Sequence, residues 1–255
     1  MADESSKKSR HILVTGGAGF IGSHLVERLL GDGNTVVVID DLSTGSMENL
    51  RAVQGHPGLR VIAKKISDCP NLAEITAEAE SVYHLAAGVG VELVLHSPVR
   101  VLEANLRETE VLLAAATASK TPFLLASTSE VYGKSQNAVF SESDDLLIGP
   151  PGQIRWSYAC SKLMDEFLAL AYGKEQGLRV VIARLFNTVG PRQTGRFGMV
   201  LPRFIASAKA GAPLQVYGDG LQTRCFCYVL DTVEALVRLQ NCPTARGEVF
   251  NVGGT

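Results

Sequence analysis

Tyr158 and Lys162 stand four residues apart in SYACSK. On a helix that spacing puts both side chains on one face, within reach of a common ligand. Such a pair suits proton transfer. A phenol titrates at about 10 in water, too high for a base at neutral pH, but a neighbouring ammonium favours the phenolate and brings it toward the working range. A Tyr-x-x-x-Lys also occurs on solvated helix surfaces, so the pair needs context.

That context lies upstream. TGGAGFIG places Gly16, Gly19 and Gly22 in a G-x-x-G-x-x-G spacing between an apolar run and a helical pattern. Without a Cβ, the first two let backbone N–H groups approach a pyrophosphate at the positive end of a helix, and the third lets helix and strand pack closely. Glycines that merely bend a tight turn are the alternative. Asp40 closes TVVVID about 20 residues on, where a carboxylate accepts both hydroxyls of an adenosine ribose and repels a 2′-phosphate. Together the two signals predict NAD rather than NADP, whose positive nicotinamide would join Lys162 in favouring a Tyr158 phenolate. Asp68 in KKISDC is placed to reach the adenine. The small residues of HLAAG, Ala86 and Ala87 among them, would let backbone pass beneath the cofactor. Both segments read equally well as ordinary strand ends.

With 255 residues, 46% hydrophobic and 20% charged, the chain can bury one large core or a core with a small lobe. A net charge of −2 supplies no broad basic field, which argues against nucleic acid and anionic membranes as partners. The five cysteines are scattered, with no CxxC and no histidine at metal spacing, so reduced thiols in a cytoplasm and no metal site are expected. Cys225 and Cys227 are expected on one face of a strand as small core side chains. No segment reaches the roughly 18 apolar residues of a membrane span, and residues 1–10 read as a flexible leader.

The elements that must position these residues follow from the apolar pattern. HILVTG, TVVVID, SVYHLAA, PFLLAS and RVVIARLFN are short runs apolar on both faces, and helical stretches at Ile21–Leu30 and Val101–Ser119 alternate with them. Strands of that kind imply a parallel sheet covered on both sides, an α/β, doubly wound Rossmann-type domain over residues 11–190. Beyond it lie a helix at Met199–Ala210, the turn-rich AGAPLQVYGDG, a strand CFCYV and a helix from Asp231. This reads as a smaller C-terminal lobe over residues 191–255, interleaved with the first domain and laid over the carboxyl edge of its sheet, where ligands collect.

TGGAGFIG, DDLSTG, HLAAGVGV, STSEVYG, YACSK, RLFNTVGPRQ and GDGLQTRCFCYV together resemble the extended short-chain dehydrogenases that act on nucleotide sugars. The resemblance covers nearly the whole chain. It implies Tyr158 as acid/base, Lys162 on the nicotinamide ribose, and Thr128 on the 4-hydroxyl of the sugar, with Ser129 and Glu130 beside it. It further implies NAD contacts from Phe20, Ile21, Asp41, Leu42, Ser43, Thr44, Gly45, Leu85 and Asn105. Asn187, Arg192 and Arg224 would hold the nucleotide's diphosphate, with Val200, Val216 and Tyr217 lining the nucleotide site. A UDP-linked sugar as substrate and a homodimer are implied as well. Members usually run further than FNVGGT, so the substrate lobe is expected to be incomplete, and the acidic residue that follows the threonine in the sugar dehydratases is here Ser129.

The shared chemistry is removal of hydride from carbon 4. A 4-epimerase returns it to the other face, a UDP-glucuronate decarboxylase loses carbon dioxide first, and a 4,6-dehydratase eliminates water. RLFNTVGPRQTGRFGMVLPRF makes epimerisation of a UDP-hexose or hexuronate the first expectation; Glu130 and DLLIGPPGQIRWSYACSK make decarboxylation the alternative, with dehydration behind both. From another class, an NAD-sensing scaffold needs the glycine loop but not Thr128, Tyr158 and Lys162.

Overall fold

In a computed structural model, which describes residues 9–88, 96–195 and 199–254, the short apolar runs form seven parallel strands. They are β1 (His11–Thr15), β2 (Thr35–Ile39), β3 (Leu59–Ile62), β4 (Ser81–His84), β5 (Phe123–Thr128), β6 (Val180–Leu185) and β9 (Val249–Val252), in the order β3-β2-β1-β4-β5-β6-β9. Alternation along a strand sends successive side chains to opposite faces. Ile12 and Val14 join one core cluster while Leu13 joins the other. Helices α1 (Phe20–Gly31) and α6 (Val229–Asn241) cover the first face; α2 (Leu72–Glu78), α3 (Pro98–Ser119) and α4 (Ser157–Gln176) cover the second. This is the doubly wound arrangement expected from strands apolar on both sides. β3 was not expected: LRVI is only four residues long and runs straight into Lys64 and Lys65, too short for a pattern to stand out.

Past residue 190 the chain serves both the sheet and its carboxyl edge. β7 (Asn187–Val189) and β8 (Phe226–Tyr228) pair in a separate two-stranded sheet, α5 (Val200–Lys209) follows the loop after β7, and β9 returns to pair with β6. Cys227 is buried in β8, but Cys225 precedes the strand, is exposed and turns its Sγ to the Gly254 carbonyl at 2.8 Å. The expectation of two core thiols on one face therefore holds for Cys227 alone. Most of the expected leader lies outside the described residues, as do Val89, Gly90 and Val91 of HLAAGVGV and residues 196–198 of the segment after β7. Among the described residues no helix is long and apolar enough to cross a membrane.

One buried ion pair ties the layers together. Arg184 of β6 meets Glu166 of α4 at 2.8 Å, with side chains 5% and 3% exposed. Ser127 of β5 donates to Glu166 at 2.5 Å, Arg184 donates to the Tyr132 hydroxyl at 3.0 Å, and that hydroxyl donates to Asn251 of β9 at 2.7 Å. Removing one partner of such a pair strands the other charge in a dry interior. Glu166→Ala should therefore lower stability by about 3–5 kcal/mol, measured by denaturant unfolding; a loss below about 1 kcal/mol, the range of surface pairs, would show that water reaches Arg184.

Candidate active site

Gly16 ends β1 with φ +72°, and a Cβ there would stand 2.6 Å from the Ala86 nitrogen. The glycine therefore lets the loop after β1 lie directly against the loop after β4. A Cβ on Gly22 would fall 2.1 Å from the Gly16 carbonyl oxygen, so the first turn of α1 sits tightly on the same loop. Gly19 caps α1 without a side-chain hydrogen bond, no acidic residue stands in the first turn, and Gly16, Gly19, Phe20, Ile21 and Gly22 line a cavity of about 1650 Å³. An uncapped helix start facing a cavity offers its amides to an anion. The bare backbone fits a pyrophosphate and leaves no room for side chains in its place.

Asp40 stands at the end of β2 on the wall of this cavity. Its carboxylate accepts from the Ala18 and Leu42 amides, each at 2.9 Å. Burial holds the carboxyl above the usual range, and the two amides pull the other way. Each oxygen keeps a lone pair for a ribose hydroxyl. Asp41, Ser43, Thr44, Asp68, Leu85, Ala86 and Ala87 also line the cavity. Leu42, at φ +60°, and Gly45 do not. Leu42 packs on the core, and a Cβ on Gly45 would meet the Ala18 carbonyl oxygen at 2.9 Å, so this glycine braces the phosphate loop from behind. Asn105 is buried: it accepts from the Gly88 amide at 2.7 Å and donates to Ser161 Oγ at 3.0 Å, which donates to the Tyr158 carbonyl at 2.9 Å. It thereby joins the loop after β4 to the turn of α4 that carries Tyr158.

Thr128, the last residue of β5, together with Ser129, Glu130 and Tyr158, lines the far end of the cavity. Thr128 Oγ1 accepts from the Glu130 amide at 3.2 Å and is hydrogen-bonded to the Tyr158 hydroxyl. Burial pushes the phenol up, as do the negative charges of Glu130 and Asp165; the Thr128 contact opposes them. Burial also raises the Glu130 carboxyl, with the Arg155 guanidinium drawing it back. Arg155, three residues before Tyr158, lines the cavity and stacks on Trp156 at 4.6 Å.

Several expectations need correction. Lys162 does not line the cavity with Tyr158: it is 1% exposed, and its Nζ donates to Asp165 Oδ2 at 2.9 Å, because a buried ammonium takes the carboxylate one turn away. Nor does Tyr158 lean toward phenolate here, since burial and the negative charges of Glu130 and Asp165 raise it. Arg192 reaches the cavity wall, but its guanidinium is committed to α1, donating to Ser23 at 3.1 Å and Glu27 at 2.5 Å, rather than left for a diphosphate. Val216 is 55% exposed and outside the lining. Asn187, Val200, Tyr217 and Arg224 do line the cavity. Asn187 Nδ2 donates to the Cys225 carbonyl at 3.0 Å, and the Tyr217 hydroxyl accepts from Arg203 at 2.9 Å. Sequence reasoning passed over Arg155 and Asp165. Arg155 had no motif to mark it, whereas Asp165, one turn beyond Lys162, was detectable as a spacing.

The family model described as NAD dependent epimerase/dehydratase family matches residues 12–253. A UDP-N-acetyl-alpha-D-glucosaminuronate decarboxylase of Bacillus cytotoxicus is 42% identical over 96% of this chain and 75% of that protein. UDP-glucuronic acid decarboxylase 1 of Xenopus tropicalis is 38% identical over 93% of this chain, which spans 55% of that relative's length. The solved structure of a UDP-glucuronic acid 4-epimerase from Bacillus cereus, in complex with UDP-glucuronic acid and NAD, superposes with a TM-score of 0.85 at 35% identity, over 96% of this chain and 78% of that one.

If Asp40 reads the ribose, Asp40→Ala should weaken NAD binding about tenfold or more, the loss of one charge-assisted hydrogen bond, and narrow the preference over NADP. Calorimetric titration with both dinucleotides checks this, and an unchanged NAD affinity would remove Asp40 from the site.

Proposed function

The chain belongs to the NAD-dependent epimerase/dehydratase family of enzymes, and from that premise we propose that it decarboxylates a UDP-linked hexuronate by way of a 4-keto intermediate. The observation that carries this reading is the placement of Glu130 and Arg155 with Tyr158 on the lining of one cavity; Glu130 remains exposed to solvent, while partial desolvation raises its carboxyl and Arg155 draws it back. A carboxylate substrate placed next to an ionised glutamate would be repelled; next to a protonated one, with a guanidinium at hand, it is accepted. The 42% identical hexuronate decarboxylase agrees with that assignment.

In this reading Thr128 orients the sugar's 4-hydroxyl and Tyr158 takes its proton. NAD, held by the glycine loop and Asp40, supplies the two-electron acceptor for the hydride of carbon 4. The ketone makes the sugar a β-keto acid, so the bond to the carboxyl carbon breaks with its electron pair entering the carbon 4–carbon 5 enolate, and carbon dioxide leaves. Protonation at carbon 5 and return of hydride to carbon 4 give a UDP-pentose, with Tyr158 returning its proton to the oxygen. The cofactor ends as it began.

The first expectation, 4-epimerisation, remains as a second reading, supported by the likeness to the solved UDP-glucuronic acid 4-epimerase. There Glu130 would only order Thr128 and Tyr158. We further propose that the protein works as a homodimer through α4, on which Met164 and Phe167 are 55% and 64% exposed, an apolar face unusual for a solitary helix.

Incubation with UDP-glucuronate and with UDP-N-acetylglucosaminuronate, followed by mass spectrometry and NMR of the products, separates the readings. Loss of carbon dioxide is expected; a product of unchanged mass inverted at carbon 4 would replace decarboxylation by epimerisation. Tyr158→Phe should keep NAD binding and slow turnover by about two to four orders of magnitude. Glu130→Gln, by contrast, should abolish carbon dioxide release if the carboxyl takes part in decarboxylation, and slow turnover only modestly if it is an orienting group.

A further inference from the structure

One wall of the cavity is held by a carboxylate that the mechanism does not use. After β3 the chain makes a single 3-10 turn, Ile66–Asp68, which puts Ser67 and Asp68 on the cavity lining, and Glu108 of α3 lines it with them. Glu108 grips that turn with both oxygens. Oε2 accepts from the Ser67 amide at 2.8 Å, and Oε1 accepts from the Ser67 hydroxyl at 2.7 Å. On its inner side the turn is held by Ile66, 3% exposed in the core beneath α2 and α3. It is thereby pinned from two directions. Asp68 stands exposed on the wall, and among the described residues its carboxylate accepts no hydrogen bond.

Glu108 and Asn105 are i, i+3 neighbours on α3. Asn105 holds the Gly88 amide after β4, so one face of one helix fixes the loops that follow both β3 and β4. The strand order β3-β2-β1 says what that arrangement serves. A dinucleotide whose pyrophosphate sits at the glycine loop after β1, and whose ribose meets Asp40 at the end of β2, carries its base onward to the end of β3. Asp68 waits there as a bare acceptor. An exocyclic amine on the base donates to such a carboxylate, whereas a carbonyl in its place sets acceptor against acceptor. That distinction is drawn only if the turn carrying Asp68 keeps its position.

We propose that Glu108 is the positioning residue of the adenine pocket: by clamping Ser67 from α3 it fixes the turn after β3 so that Asp68 faces the amine of the base. The inference rests on the cavity holding NAD and not on which reaction the sugar undergoes. The clamp is geometric. Glutamine can reproduce it, its oxygen accepting from the Ser67 amide and its NH₂ donating to a Ser67 hydroxyl that has rotated to accept. Alanine reproduces neither bond.

Calorimetric titration with NAD and with nicotinamide hypoxanthine dinucleotide, which carries a carbonyl where adenine has its amine, reads the ratio of the two affinities. The unaltered protein should prefer NAD by about tenfold or more. In Glu108→Ala the ratio should fall to within about twofold of one, and Glu108→Gln should restore most of it. A lower melting temperature with an unchanged ratio in Glu108→Ala would make Glu108 a structural cap and overturn the proposal. A ratio lost as fully in Glu108→Gln as in Glu108→Ala would assign the effect to charge, which overturns it as well. So would equal binding of the two dinucleotides by the unaltered protein, since Asp68 would then not read the base. If Glu108→Ala does not fold, Ser67→Ala, which loses the hydroxyl bond and keeps the amide bond, should narrow the ratio in the same direction, and an unchanged ratio there overturns the proposal equally. A sugar product of unchanged mass would replace decarboxylation by epimerisation and leave the base preference standing.

Discussion

Two adjacent carboxylates, Asp165 and Glu166, are buried on the same turn of α4, and the rest of the site depends on their being neutralised separately. Like charges side by side in a dry interior repel each other and lose their hydration, so each needs a cation of its own. Asp165 takes Lys162 from one turn back, and Glu166 takes Arg184 from β6 across the layer. With both pairs formed, α4 is fixed in rotation and height against β5 and β6, and Tyr158, one turn from Lys162, reaches the end of the cavity beside Thr128. The place of Tyr158 is thus set by charges that do not line the cavity.

The cofactor end is built on the opposite principle, the absence of side chains. Gly16 and Gly22 allow backbone to meet backbone at distances no Cβ would tolerate, and Asn105 and Thr15 bind the loop after β4 to the same frame. From that frame a buried line of hydrogen bonds, Thr15–His84–Thr109, runs beneath the loop after β1 to α3.

What was legible in the sequence follows the range of the interactions. The strands of the sheet core, α1, the glycine loop and Asp40 depend on neighbours in sequence or on a required absence of Cβ, and their positions are as expected. For Lys162, the i, i+4 spacing to Tyr158 says only which face it shares; the ion pair with Asp165 one turn on sets where its ammonium rests. Arg192, expected near a diphosphate, instead pairs with Glu27 of α1, 165 positions away along the chain. β3 escaped because its pattern is four residues long, and Cys225 because it stands just before β8, where strand alternation no longer sets the direction of its side chain.

The electrostatics of the cavity divide along its length. At the inner end, Tyr158 and Glu130 are both held toward their neutral forms by burial, and the Lys162 charge is offset. Elsewhere on the wall stand the helix start of α1, Lys64, Lys65 and Arg224. An inner end with little net charge of its own responds strongly to whatever charge arrives, because low dielectric magnifies each unpaired group. A cation arriving beside Tyr158 favours the phenolate that burial disfavours, and a second carboxylate beside Glu130 raises its carboxyl further.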